Sequence, residues 1–160
     1  MLVAHAKKLL SQLRNNALNV ATCNKNGEPN AAVKLFLKMK GEEIYLADFS
    51  MGTTCNNLQA NPQLSLAFED VETSKGYRIN GRVVIISEGP EYDALVEDVR
   101  KRETEIVVNR VLEGLQRNRR YKGHMVSTCD KFVIYKVAIE QIVEFGPQGA
   151  LRTEDLKPKA

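Results

Sequence analysis

Leu18-Asn19-Val20-Ala21-Thr22-Cys23-Asn24-Lys25-Asn26-Gly27-Glu28-Pro29 is the stretch that decides the fold class. Leu18, Val20 and Thr22 face one way and Asn19, Ala21 and Cys23 the other, the period of two that marks a strand. Asn24 to Gly27 is a hairpin turn, because Asn and Gly tolerate positive φ. Pro29 opens the next strand, where a missing N–H is tolerated. There Val33, Leu35, Leu37 and Met39 alternate with Ala32, Lys34, Phe36 and Lys38. Lys40-Gly41-Glu42 is a second turn and Glu43 to Ala47 a third strand. Three strands on short links form an antiparallel meander.

Working outward, Ser50 to Ala60 breaks the alternation. Ser, Gly and Thr supply helix-start chemistry, and Asn61-Pro62 ends the element, which predicts a short helix over 53–60. Strands follow at 63–69 and 76–87. The second carries Tyr77, Ile79, Val83 and Ile85 on one face, with Gly81 marking a bulge or a close backbone approach. Gly89-Pro90 opens a helical region read as two helices broken near Arg102 to Glu105. A last strand spans about 131–145, and the charged tail, 151–160, reads as frayed. At the other end Leu2, Ala6, Leu9, Leu10 and Leu13 sit at helical spacing, a packing helix ended by Asn15 and Asn16. The expectation is one domain over 1–160, mainly β (α+β): a six-stranded antiparallel barrel with a short internal helix and peripheral helices. Closure removes exposed sheet edges, and a βαβ fold lacks the helices it would need.

The chain has 160 residues, enough for one core but not two. Its 43% hydrophobic and 27% charged residues are the balance of a globular protein. Apolar runs no longer than Val83–Ile86 are far too short for a helical membrane span. A net charge of +3 with only 6% aromatics argues against a dedicated nucleic-acid binder. The basic stretch Arg117 to Lys122 keeps a small-barrel nucleic-acid module open as an alternative, against a solvated helix end. Three widely spaced cysteines (Cys23, Cys55, Cys129) and two histidines (His5, His124) point to neither a disulfide framework nor a zinc site. Lys7, Lys8 and Arg14 interrupt any leader-like stretch, so a cytoplasmic location is expected. His124 reads as a surface or packing residue, and Cys23 and Cys55 as small fillers.

The site signal lies where the third strand ends in Ala47-Asp48 and Gly52-Thr53-Thr54 opens the short helix. A helix N-terminus presents unpaired N–H groups and a positive dipole end, which suit a phosphate. Thr53 and Thr54 add hydroxyls, and Lys34 on the neighbouring strand could add charge. Plain N-capping by either threonine is the competing reading. The Gly-Lys-Ser/Thr ending of a P-loop is absent.

Four stretches in order, Ala21 to Asn30, Ile44 to Asp48, Thr53 to Pro62 and Gly76 to Arg82, resemble the pyridoxamine 5'-phosphate oxidase-like family of FMN-binding split barrels, over about residues 15–88. The resemblance implies a split barrel, a homodimer and two FMN sites at the subunit interface. It implies that Ala32-Val33-Lys34-Leu35 lies along the flavin, largely through backbone groups. By the same likeness Ala47 and Asp48 meet the ring or ribityl chain, Thr53 and Thr54 hold the phosphate, and Asn57 sits one helical turn later. Relatives often carry Lys or Arg in that loop; here it is Gly52-Thr53-Thr54. A small barrel fills its own interior, so a large ring binds outside it or at a junction. Val33, Leu35 and Phe49 are then candidates to shelter the ring, or, for Val33 and Leu35, ordinary core. No acid, base, nucleophile or metal ligand is indicated. The expected function is that of a flavoprotein, an oxidoreductase acting on a small-molecule redox substrate, with the flavin carrying the chemistry. A non-catalytic flavin-, haem- or deazaflavin-binding protein is the alternative.

Overall fold

A computed structural model describes residues 2–13, 17–116 and 131–156. The sequence readings at Arg14 to Asn16, at Arg117 to His124, at Cys129 and at 157–160 lie outside the described residues. After helix α1 (Leu2–Ser11), strands β1 (Ala17–Cys23), β2 (Pro29–Lys40) and β3 (Glu43–Asp48) form the meander, and helix α2 (Thr53–Ala60) follows. Next come β4 (Gln63–Asp70), β5 (Lys75–Ile86), helix α3 (Pro90–Gln116), β6 (Val133–Phe145) and β7 (Leu151–Asp155). The sheet order is β3-β2-β1-β4-β5-β6-β7, and a further β3–β6 pairing closes six antiparallel strands into a barrel.

Two cores flank the barrel wall. The inner one joins Leu18, Val20, Phe36, Ile44, Leu46, Leu66, Ile79, Tyr135 and Val137, capped by Leu2, Ala6 and Leu10 of α1. The outer one joins Leu37, Tyr45, Ala47 and Ile134 to Leu95 and Val99 of α3. A register shift between Phe36 and Lys38 reverses the alternation, so Phe36 and Met39 both pack into the inner core while Leu37 lies beneath α3, and Met39 does not share the face of Leu37 that the sequence pattern gave it. The bulged strand leaves the Leu37 carbonyl to the Arg102 guanidinium, whose Nε and Nη2 donate at 3.2 and 3.0 Å.

Gly81 fills the role its sequence position suggests. The ladder to β6 shifts register between Asn80 and Gly81, and a Cβ there would sit 2.6 Å from the Ala138 carbonyl oxygen.

Two expectations are corrected. Residues 90–116 form one helix of 27 residues, not two. Arg102-Glu103-Thr104-Glu105 contains no helix breaker, and Arg102 bonds Glu105 one turn on, at 3.0 Å. Nor is 151–155 a frayed tail. β6 outruns β3, and β7 pairs with its free end, from Phe145↔Leu151 to Gln141↔Asp155. A tight turn at Pro147–Gly149 reverses the chain, with the Gly146 N–H donating to the Ala150 carbonyl at 2.7 Å.

Candidate functional site

β2 has two neighbours for only part of its length. β1 pairs with it from Leu35 back to Pro29, whereas β3 joins it only from Leu35 onward. From Asn30 to Lys34 its second edge therefore has no strand partner among the described residues. Along that edge runs the link from β3 to α2. Lys34 Nζ reaches Ser50 Oγ at 3.1 Å, and Asn30 Nδ2 reaches Thr54 Oγ1 at 3.1 Å.

The link is shaped by Asp48. Its Oδ1 accepts the Ser50 N–H at 3.0 Å, the Met51 N–H at 3.3 Å and the Ser50 hydroxyl at 2.7 Å. The same oxygen pairs with Lys34 Nζ at 2.7 Å, while the Tyr135 hydroxyl donates to Oδ2. Burial by itself would raise the Asp48 pKa. Hydrogen bonds from Lys34, Tyr135 and Ser50 outweigh it and hold the carboxyl down at about 2. Burial, then the Asp48 carboxylate, push the Tyr135 phenol up.

Past this link α2 begins without a side-chain cap. Gly52 is the N-cap residue, and Asn56 donates the first helical bond, to the Gly52 carbonyl at 3.1 Å. The N–H groups of Thr53, Thr54 and Cys55 thus precede any intrahelical acceptor.

The residues named from the sequence divide into three groups. Thr53 is exposed at the helix start, and Val33 is 62% exposed on the outer wall beside the open edge. Lys34, Asp48, Thr54 and Asn57 are buried and partnered. Thr54 turns inward to Asn30, and Asn57 Nδ2 bonds Thr22 Oγ1 at 3.1 Å, tying α2 to β1. Leu35, Ala47 and Phe49 belong to the outer core beneath α3, with Phe49 and Phe132 rings 5.5 Å apart. The charge expected from Lys34 is thus committed to Asp48. Tyr135 and Asn30 are participants to which the sequence alone gave no part, and Ser50, read there as helix-start chemistry, bonds Asp48 instead. Asn30 closes the first of the four family-like stretches without a chemical role of its own, and Tyr135 sits in an apolar run that reads only as core.

An antiparallel barrel in which β3 leaves the first half of β2 without a strand partner among the described residues, with an uncapped helix start beside it, is a split barrel. Residues 3–142 match the family model described as pyridoxamine 5'-phosphate oxidase, and the chain belongs to that family. Over 98 residues, 59% of this chain, it is 29% identical to an uncharacterized protein of Methanocaldococcus jannaschii, and the match spans 64% of that relative's length. Two solved structures share the fold. A protein related to general stress protein 26, of the pyridoxinephosphate oxidase family, from Clostridium acetobutylicum has a TM-score of 0.68 at 15% identity, covering 96% of this chain and 94% of that one. A pyridoxamine 5'-phosphate oxidase-related, FMN binding protein from Nostoc punctiforme has a TM-score of 0.57 at 17% identity, covering 98% and 95%. Among the described residues no helix is long and apolar enough to cross a membrane.

Proposed function

We propose that this chain is a flavoprotein that binds FMN where the edge of β2 meets the start of α2 and acts, as a cytoplasmic homodimer, as an oxidoreductase on a small-molecule substrate. The observation that carries the reading is the unpaired edge of β2 from Asn30 to Lys34 lying beside the uncapped first turn of α2. A flavin can use both features. Its ring presents alternating donors and acceptors along one side, which a free strand edge can match, and its phosphate suits a helix N-terminus. Backbone N–H groups of Thr53, Thr54 and Cys55, with the Thr53 hydroxyl, would hold the phosphate. Val33 would lie against the ring. The neutralised Lys34 adds no free charge, so phosphate binding here rests on backbone dipoles.

The bound flavin would supply hydride or electron transfer. The protein's part is to fix the ring along β2, to fix the phosphate at α2 and to keep water from the ring face. One chain provides a single wall for this, and an exposed Val33 supports a second copy as the roof.

The test is the absorption spectrum of the purified protein, followed by titration of the flavin-free protein with FMN. Flavin bands and saturable quenching of FMN fluorescence are expected, with a dimer in light scattering. A protein that leaves FMN fluorescence unchanged overturns the reading, and Soret or deazaflavin bands would reassign the cofactor. Reduction by NADH or NADPH in stopped flow would then separate an enzyme from a carrier.

A further inference from the structure

We infer that Asp48 is a positioning residue, which sets the shape of the link from Ser50 to Gly52 and through it the presentation of the first turn of α2, without touching the ligand. This rests on the flavin reading above and deepens it. The family resemblance implies that the residue at this position meets the ring or ribityl chain; the geometry gives it a different role.

Asp48 is 1% exposed. Its Oδ1 is surrounded by Lys34 Nζ, the Ser50 hydroxyl and two backbone N–H groups, and its Oδ2 is taken by the Tyr135 hydroxyl. At that exposure neither carboxylate oxygen is open to a ligand; its acceptor capacity is turned to the surrounding protein groups. The bonds converge on an unusual piece of backbone. Met51 has φ of 46°, a left-handed conformation that a side chain bearing Cβ seldom adopts unless its surroundings impose it. The Asp48 acceptor two and three residues back imposes it. Tyr135 joins the carboxylate to the same buried cluster as Cys55 in the first turn of α2. The part played by Lys34 is separate, because it neutralises a charge that could not otherwise stay buried.

These roles come apart in two double variants. Lys34→Met with Asp48→Asn removes both charges but keeps an oxygen acceptor for the Ser50 and Met51 N–H groups. Lys34→Met with Asp48→Leu removes the charges and the acceptor together. Positioning predicts that the first binds FMN within about threefold of the unaltered protein and that the second binds at least about thirtyfold more weakly. In the flavin-free proteins, amide hydrogen exchange at Ser50 and Met51 should stay slow in the first and become fast in the second. Tyr135→Phe is the milder probe should the leucine variant not fold. The phenol is fully buried and cannot meet a ligand, so a loss of affinity of roughly threefold to tenfold with faster exchange at Ser50 and Met51 is expected.

Equal FMN affinity for the two double variants overturns the inference. So does a loss of affinity with unchanged exchange, which would make Asp48 a direct contact. For Tyr135→Phe, unchanged affinity and exchange together overturn it. If the unaltered protein binds no FMN, the flavin reading fails by itself, while the exchange measurement on the flavin-free chain still decides what Asp48 does to the link.

Discussion

The barrel carries the same trio of side chains twice, a carboxylate held by a lysine and a tyrosine. At Asp48 the partners are Lys34 and Tyr135; at Glu144 they are Lys75 at 3.2 Å and Tyr77 at 2.9 Å, with Arg152 at 3.6 Å. The first is sealed, with Lys34 5% exposed. The second is sealed on one side only, since Lys75 is 31% and Arg152 61% exposed. A carboxylate held wholly inside the fold needs every bond it has, and those bonds can fix nearby backbone. One whose cations reach water fastens strands together and tolerates loss. The Asp48 trio therefore belongs to the link between β3 and α2 and the Glu144 trio to the seam of β5, β6 and β7.

The largest effect should come from breaking each carboxylate in turn. Asp48→Ala leaves an ammonium buried without a counter-charge and should cost about 3–5 kcal/mol in urea unfolding. Glu144→Ala frees cations that can turn to solvent and orphans only the Tyr77 hydroxyl, so about 1–2 kcal/mol is expected. Equal losses would erase the distinction.

Acid sharpens it next. The Asp48 pKa of about 2 lies below its ordinary value of 3.8, so its contribution is present at neutral pH and is withdrawn as pH falls. That amounts to about 2 kcal/mol, lost between roughly pH 5 and pH 2. Hydrogen bonds from Tyr77 and Lys75 outweigh burial at Glu144 and lower its pKa too, so the two sites act in the same direction. The Lys34→Met, Asp48→Asn variant should show a flatter decline in unfolding midpoint over that range than the unaltered protein. Parallel declines would place the acid sensitivity elsewhere.

Arg152→Ala should matter least, within about 0.5 kcal/mol, because a 61% exposed guanidinium at 3.6 Å is screened by water. A larger change in thermal unfolding would mean that β7 depends on this pair.

Much of this was legible in the chain. The bounds of Thr53–Ala60 are read directly from Gly52-Thr53 and Asn61-Pro62, although no side chain caps the start. Gly81 announces its close approach just as locally. β2 shows the limit. Alternation groups Val33 with Leu35, Leu37 and Met39; the first three do share the outer wall, but the register shift turns Met39 inside, and α3 covers only Leu35 and Leu37 and leaves Val33 bare. Lys34, on the other face, points into the barrel because Asp48, fourteen residues on, meets it there. No pattern within a strand encodes a partner on its neighbour. The site was legible as a place, the end of β3 and the start of α2. The division of labour within it depends on a tyrosine 87 residues from Asp48 and was not.

The extra residue in β2 has a consequence for how the chain tolerates change in length. By slipping the ladder at Phe36–Lys38 it frees one carbonyl, and Arg102 grips that carbonyl near the middle of α3. Deleting Phe36 would close the slip, turn Leu37 away from Leu95 and Val99, and unhook the long helix from the wall. Lengthening the exposed Asn24–Gly27 hairpin would disturb neither, so sequence drift in this fold has a permissive loop and a strand whose residue count is fixed from sixty-five positions away.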